Sequence, residues 1–193
     1  MTGPSGVGKT SMTRRLGLPV IALDDFYHDI DAPGLPRRFG SVDWDDPGSW
    51  NSGAALECLD AVCRTGRADL PVYDIPTSRR TGTIGLDVGD ASLVIAEGLF
   101  ADELADAARE RGLLAGAVCL ELPKWTTFWR RLIRDFSESR KPPLTLIRRG
   151  LALCRAQPGF VERCRAKGFA VMRPVEAHRR IADLAAGNVT NIN

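Results

Sequence analysis

Gly3-Pro4-Ser5-Gly6-Val7-Gly8-Lys9-Thr10, two residues from the start of the sequence, satisfies the Walker A pattern G-x-x-x-x-G-K-[ST] at every position. The chemistry needs this spacing. Glycines let the backbone fold around phosphate without Cβ clashes, so successive N–H groups can converge on one anion. A helix predicted over Lys9–Leu16 adds the positive end of its dipole. Lys9 can reach the β and γ phosphates of a nucleotide, and the Thr10 hydroxyl can hold Mg²⁺. The residues expected to cradle ATP are therefore Gly3, Ser5, Gly6, Val7, Gly8, Lys9, Thr10 and Ser11. The plain alternative is a glycine-rich turn that merely opens a helix. Such a loop normally follows a buried strand, but only Met1 and Thr2 precede Gly3. The first strand is thus expected to be truncated or to lie upstream.

Outward from the loop, apolar runs alternate with helical patterns. This predicts an α/β fold of the P-loop NTPase type, three-layered, with a mostly parallel sheet flanked by helices. Strands are expected at Pro19–Leu23, Leu70–Asp74, Thr83–Val88, Leu93–Ala96 and Ala117–Leu122. Residues 31–45 read as a surface loop rich in Pro, Gly and charge. Asp46-Pro47 reads as a helix cap with proline in the first turn, opening a helix that runs to about Thr65. Further helices are expected over Leu99–Arg111, Trp125–Ser137, Pro142–Arg155 and Val175–Ala186, with Pro158 interrupting the third. The 193 residues read as one domain, with a lid helix at about 124–141 and a helical part at about 142–193.

Composition narrows the function classes. Apolar residues make up 44% and charged residues 26%, which suits a soluble globular core. A formal net charge of +2 argues against nucleic acid or membrane as the main partner. The five cysteines contain no C-x-x-C, and only two histidines are present, so neither a zinc site nor a disulfide framework is expected. No signal-peptide pattern and no bilayer-length apolar run is seen, so a cytoplasmic location is expected.

Two acidic positions stand at strand ends, where ligands sit in open parallel sheets. Asp24 and Asp25 follow the strand that ends at Leu23. A carboxylate there can accept the proton of an attacking hydroxyl, or it can simply cap a helix. Glu97 follows Leu93-Val94-Ile95-Ala96, where a P-loop enzyme needs an acid to assist with Mg²⁺; the alternative is a helix-start acid. On the basic helix, Arg131 and Arg134 lie three apart and so share a face, and guanidinium groups bind phosphate oxygens in forked pairs. The alternative is a solvated basic face.

Six ordered segments together resemble uridine kinase, in the nucleoside kinase branch of P-loop kinases. They are Gly3 to Thr10, Leu23-Asp24-Asp25-Phe26-Tyr27, Trp44-Asp45-Asp46-Pro47, Pro71-Val72-Tyr73-Asp74-Ile75, Ile95-Ala96-Glu97-Gly98-Leu99-Phe100 and Arg130-Arg131-Leu132-Ile133-Arg134-Asp135. The resemblance implies an ATP-dependent, Mg²⁺-assisted kinase acting on the 5′-hydroxyl of a nucleoside. It implies Asp24 as the base, and Tyr27, Tyr73 and Trp44 as walls of the base site. Asp45 would accept from ribose hydroxyls, and Glu97 would hold magnesium. Lys9, Arg131 and Arg134 would neutralise charge on the transferring phosphoryl group. A homo-oligomer is among the family's implied properties. The chain also departs from the family. Ser78 stands where a base-contacting histidine is usual, and Arg80 keeps a basic group nearby. A Glu-Arg-Gly-Arg lid segment becomes Glu138-Ser139-Arg140-Lys141. These changes leave open a kinase for another small metabolite, or a nucleotide-binding regulator without catalysis.

Overall fold

A computed structural model describes residues 1–38, 40–138 and 143–188. In chain order the elements are α1 (Lys9–Leu16), β1 (Val20–Ala22), β2 (Arg37–Arg38), β3 (Ser41–Val42), α2 (Ser52–Thr65), β4 (Arg67–Asp74), β5 (Arg79–Asp87), β6 (Ile95–Glu97), α3 (Ala101–Glu110), β7 (Val118–Leu120), α4 (Lys124–Glu138), α5 (Pro143–Ala166), β8 (Ala170–Met172) and α6 (Pro174–Ala185). The fold is α/β, with short parallel strand pairs and accompanying helices, as the alternating apolar pattern predicts. The chain divides into two compact units. One comprises Met1–Gly17 and the chain from Ala115 onward, and the other comprises Leu18–Leu114.

In the first unit β7 is the organising strand. Val118, Cys119 and Leu120 are all buried, the mark of a strand covered on both faces. β8 pairs with it in parallel, with Val118 opposite Ala170 and Leu120 opposite Met172. On its other side Thr2 forms a parallel bridge to Cys119. The Thr2 N–H donates to Val118 O at 2.9 Å and the Leu120 N–H to Thr2 O at 2.9 Å. The residue directly before the glycine loop is therefore sheet-paired. β8 has no counterpart among the strands read from the sequence. It is three residues long, too short for a period to show.

Pro158 does not interrupt α5, which runs unbroken from Pro143 to Ala166 with the proline inside it. Proline removes one N–H donor, but Cys154, Gln157, Val161 and Cys164 are all buried at helical spacing around it. That burial outweighs the lost bond. α4 packs on α5 through Phe128, Leu132, Leu146 and Cys154.

In the second unit β1 and β6 pair in parallel, with Ala22 opposite Glu97. β4 and β5 form a long antiparallel hairpin, with Leu70 opposite Ile84. The 31–45 stretch holds a small antiparallel pair, β2 with β3, rather than loop alone. The helix expected from Asp46 to Thr65 is split. Asp46 caps only a 3-10 turn over Pro47–Ser49, its Oδ1 accepting from the Gly48 N–H at 2.8 Å. Trp50 is then extended and 4% exposed, and its Nε1–H donates to Leu23 O at 2.7 Å. Burying the indole pulls the chain out of helical geometry. Asn51 restarts the helix by accepting from the Ala54 N–H at 2.9 Å. Trp50 joins Ile21, Leu23, Phe26, Val62, Phe100 and Leu104 in the core of this unit.

The small net charge conceals a separation. The first unit holds 18 of the 26 lysines and arginines and 6 of the 24 acids, net +12. The second holds 8 basic and 18 acidic residues, net −10.

Two glycines of α5 should respond oppositely to substitution. A Cβ on Gly150 would lie 2.9 Å from Phe128 Cε2, whereas one on Gly159 meets nothing within 4 Å. Gly159→Ala is expected to raise stability by about 0.5–1 kcal/mol. Gly150→Val is expected to lower it by about 1–3 kcal/mol through overpacking. Urea unfolding followed by circular dichroism measures both.

Candidate active site

The glycine loop closes on itself. The Val7 N–H donates to Pro4 O at 3.1 Å, and Gly3, Gly6 and Gly8 have φ of 152°, 85° and 103°. These positive values are the reason for glycine there. Gly3 and Gly6 also have no room for a side chain. A Cβ on Gly3 would sit 2.8 Å from Leu120 O, and one on Gly6 would sit 2.9 Å from Thr127 O. Gly8 instead faces open space and leads into α1 as its left-handed N-cap. The Lys9 ammonium reaches back across the loop and donates to Gly3 O at 2.8 Å. Thr10 and Ser11 are exposed on the first turn of α1, and Val7 is buried beneath the loop.

Arg131 is brought to this loop. Its backbone nitrogen and Cβ lie 3.3 and 3.5 Å from the position of a Cβ on Gly6. Arg134 follows one turn later on α4, and its side chain lies outside the described residues, as do residues 139–142 of the expected lid.

The second unit gathers the other expected residues. Because Ala22 faces Glu97 across the parallel pair, Asp24 and Glu97 emerge at the same strand ends. Asp24 is exposed, and one of its carboxylate oxygens accepts the Leu99 N–H at 2.9 Å. Gly98 makes this approach possible. A Cβ there would stand 2.8 Å from Leu23 Cβ and 2.9 Å from Asp24 Oδ1. Burial, and then the charge of Asp24, push the Asp25 carboxyl above its ordinary value.

Tyr27 is the hub of an aromatic cluster. Its ring meets Trp44 edge-on at 5.6 Å, Tyr73 at 5.9 Å and Phe100 at 5.9 Å. The Tyr27 hydroxyl donates to Trp44 O at 3.2 Å, and that of Tyr73 to His28 O at 3.1 Å. Burial first, then the nearby Asp24 and Asp45 charges, raise the Tyr27 phenol well above its usual range. Burial also raises Tyr73. Asp45 is exposed beside Trp44, its own N–H donating to Asp43 Oδ1 at 3.2 Å. Ser78, at φ 52°, receives the Ile30 N–H on its carbonyl at 3.0 Å. The Arg80 N–H donates to Asp29 Oδ1 at 2.6 Å, and its exposed guanidinium turns along β5 to Gly82 O at 3.4 Å. The sequence reading missed two contributors here, Gly98 and Phe100. The signal for the first was a glycine directly after a strand-end acid.

The cradle formed by Gly3, Gly6 and the Lys9 ammonium has the chemistry of a polyphosphate site. Thr10 carries a hydroxyl and Glu97 a carboxylate, each by itself an oxygen donor of the kind Mg²⁺ takes.

Comparison with known proteins finds kinases among the relatives. The chain is 29% identical over 182 residues to a protein named "Probable uridine-cytidine kinase" from Caenorhabditis elegans, covering 91% of this chain and 70% of that one. It is 30% identical over 107 residues to uridine kinase of Saccharomyces cerevisiae, covering 51% of this chain and 21% of that one. The chain is thus similar in sequence to uridine kinase-like P-loop kinases. A crystal structure from Silicibacter sp. TM1040, described as a fructose transport system kinase, superposes on this chain with a TM-score of 0.60. The two are 20% identical, with 82% of each chain covered. The chain also matches inorganic pyrophosphatase TTM2 of Arabidopsis thaliana, 29% identical over 154 residues, 76% of this chain. It spans 21% of the length of that relative and of the yeast one. No family model matches. Among the described residues no helix is long and apolar enough to cross a membrane.

Gly98→Ala is expected to destabilise the protein by about 1–3 kcal/mol, since strand core and carboxylate both crowd the added methyl; guanidinium unfolding measures this. The chain has two tyrosines, Tyr27 and Tyr73, and both are raised in the folded state. The folded form therefore retains phenolic protons that the unfolded form releases above about pH 10. Their contribution to stability is complete below that pH and is lost as pH rises beyond it. Absorbance at 295 nm at pH 10 should show less tyrosinate in the folded protein than after unfolding, where about half of the phenols are ionised.

Proposed function

We propose that the chain transfers the γ-phosphoryl group of ATP to a hydroxyl of a small neutral molecule, a nucleoside such as uridine being the leading acceptor. The observation that carries this reading is the Asp24 carboxylate at the end of β1. It is held by the Leu99 N–H through one oxygen while the side chain stays exposed. That is the disposition of a base awaiting a substrate proton. The second support is the glycine cradle with Lys9 across it.

Each residue then has a task. The loop amides and Lys9 bind the phosphates, and Thr10 and Glu97 are the oxygens that would hold Mg²⁺. Bound MgATP supplies the phosphoryl group and the metal's charge on its oxygens. Asp24 accepts the hydroxyl proton as the acceptor oxygen bonds to phosphorus and ADP leaves. Lys9, Arg131 and Arg134 offset the charge on the phosphoryl oxygens. Tyr27, Trp44 and Tyr73 offer ring faces and edges for a planar base, with Asp45 for ribose hydroxyls. The net charge of −10 on the unit bearing Asp24 favours an uncharged acceptor over one that already carries phosphate.

Incubation with MgATP and a nucleoside panel, followed by mass spectrometry, tests the assignment. A nucleoside monophosphate is expected. Phosphate release from ATP or pyrophosphate that no acceptor alters would overturn it. Asp24→Asn should lower transfer by about 10²–10⁴-fold with ATP affinity nearly intact. Lys9→Ala should abolish nucleotide binding in a calorimetric titration.

A further inference from the structure

The phosphate loop is walled on two sides by main-chain carbonyls, and one buried side chain links the segments that carry them. At Gly3 the wall is Leu120 O, the last residue of β7. At Gly6 it is Thr127 O, in the first turn of α4, next to the backbone of Arg131. Gln157 reaches from α5 to the segment that carries each wall. Its Nε2–H donates to Leu122 O at 2.8 Å, two residues beyond β7. Its Oε1 lies 2.7 Å from the Thr127 hydroxyl. Thr127 is 4% and Gln157 6% exposed, so neither side chain can exchange these partners for bulk water.

The proton pattern is determined by the acceptors. Leu122 O can only accept, so it fixes the Gln157 amide with its NH₂ toward that carbonyl. The Gln157 oxygen then faces Thr127, whose single hydroxyl proton also has Lys124 O within 2.8 Å. Thr127 shares its proton between Gln157 Oε1 and Lys124 O, and Gln157 donates to Leu122 O, so one buried hydrogen-bonded chain links the three segments. Apolar packing of Phe128 and Leu132 on α5 holds α4 in place. Such packing tolerates small slides along the helix, whereas a buried hydrogen-bonded chain does not.

We propose that Gln157, acting through Thr127, is a positioning residue that sets the spacing of the two walls of the phosphate loop and so the placement of Arg131 against it. The inference rests on the phosphoryl-transfer reading for its effect on rate. The site assigns to Gln157 no contact with substrate. A shift of the α4 turn leaves the loop amides able to bind nucleotide but misplaces the guanidinium that meets charge in the transition state.

The test compares Thr127→Val, which keeps shape but removes the hydroxyl, with Thr127→Ser, Gln157→Met and the Thr127→Val/Gln157→Met double variant. Each is measured for kcat and KM with MgATP and nucleoside, for ATP affinity, and for amide hydrogen exchange at residues 5–8. Both single losses should lower kcat by between about 10- and 100-fold, with ATP affinity changed by less than about threefold. Thr127→Ser should restore kcat to within about threefold. The double variant should be no worse than the poorer single, because both act through one chain. Unchanged kcat in the folded single variants, no rescue by serine, or additive losses would each overturn the proposal. If the unmodified protein transfers no phosphate, the functional reading fails, and hydrogen exchange alone decides the inference. Faster exchange at residues 5–8 in Thr127→Val and Gln157→Met, but not in Thr127→Ser, supports it; unchanged exchange refutes it.

Discussion

Two backbone carbonyls decide what the loop after Thr2 can be. Leu120 O and Thr127 O stand where Cβ atoms of Gly3 and Gly6 would project, at 2.8 and 2.9 Å. A backbone that turns its N–H groups inward toward an anion must turn other atoms outward, and here those outer faces lie directly against other main chain. The glycines are thus required twice, once by positive φ and once by contact. Since main chain moves less freely than side chains, the loop's shape follows that of β7 and the first turn of α4.

The same device recurs in the second unit at a different kind of site. Gly98 lies under Asp24, and the missing Cβ lets the Leu99 N–H reach the carboxylate. In both places glycine stands where an element end must approach a functional group more closely than a methyl permits. The Asp24 geometry therefore depends on β6 as much as on β1. The parallel register that puts Ala22 opposite Glu97 aligns them.

These close approaches mark the limit of what the sequence showed. The loop, α1 and the strand-end acids were legible because motif spacing and apolar runs are local. α1 was read at its observed bounds, Lys9–Leu16. The break at Trp50 was not legible, because the bond from its indole to Leu23 O spans 27 positions. Nor was the continuity of α5 through Pro158, which depends on burial of Val161 and Cys164 rather than on propensity. Gln157 gave no signal at all. A lone glutamine beside a proline reads as a surface residue until Leu122 and Thr127 are seen to surround it.

The charge separation gives the division of labour a physical basis. A triphosphate brings about four negative charges, and binding it to a unit of net +12 is attractive before any specific contact forms. A unit of net −10 would repel the same ligand, yet it imposes little cost on a neutral polyol. The acidic unit is thus electrostatically suited to an uncharged ligand, and the basic unit to an anionic one. The aggregate charge of +2, read without the fold, cancels the two properties against each other.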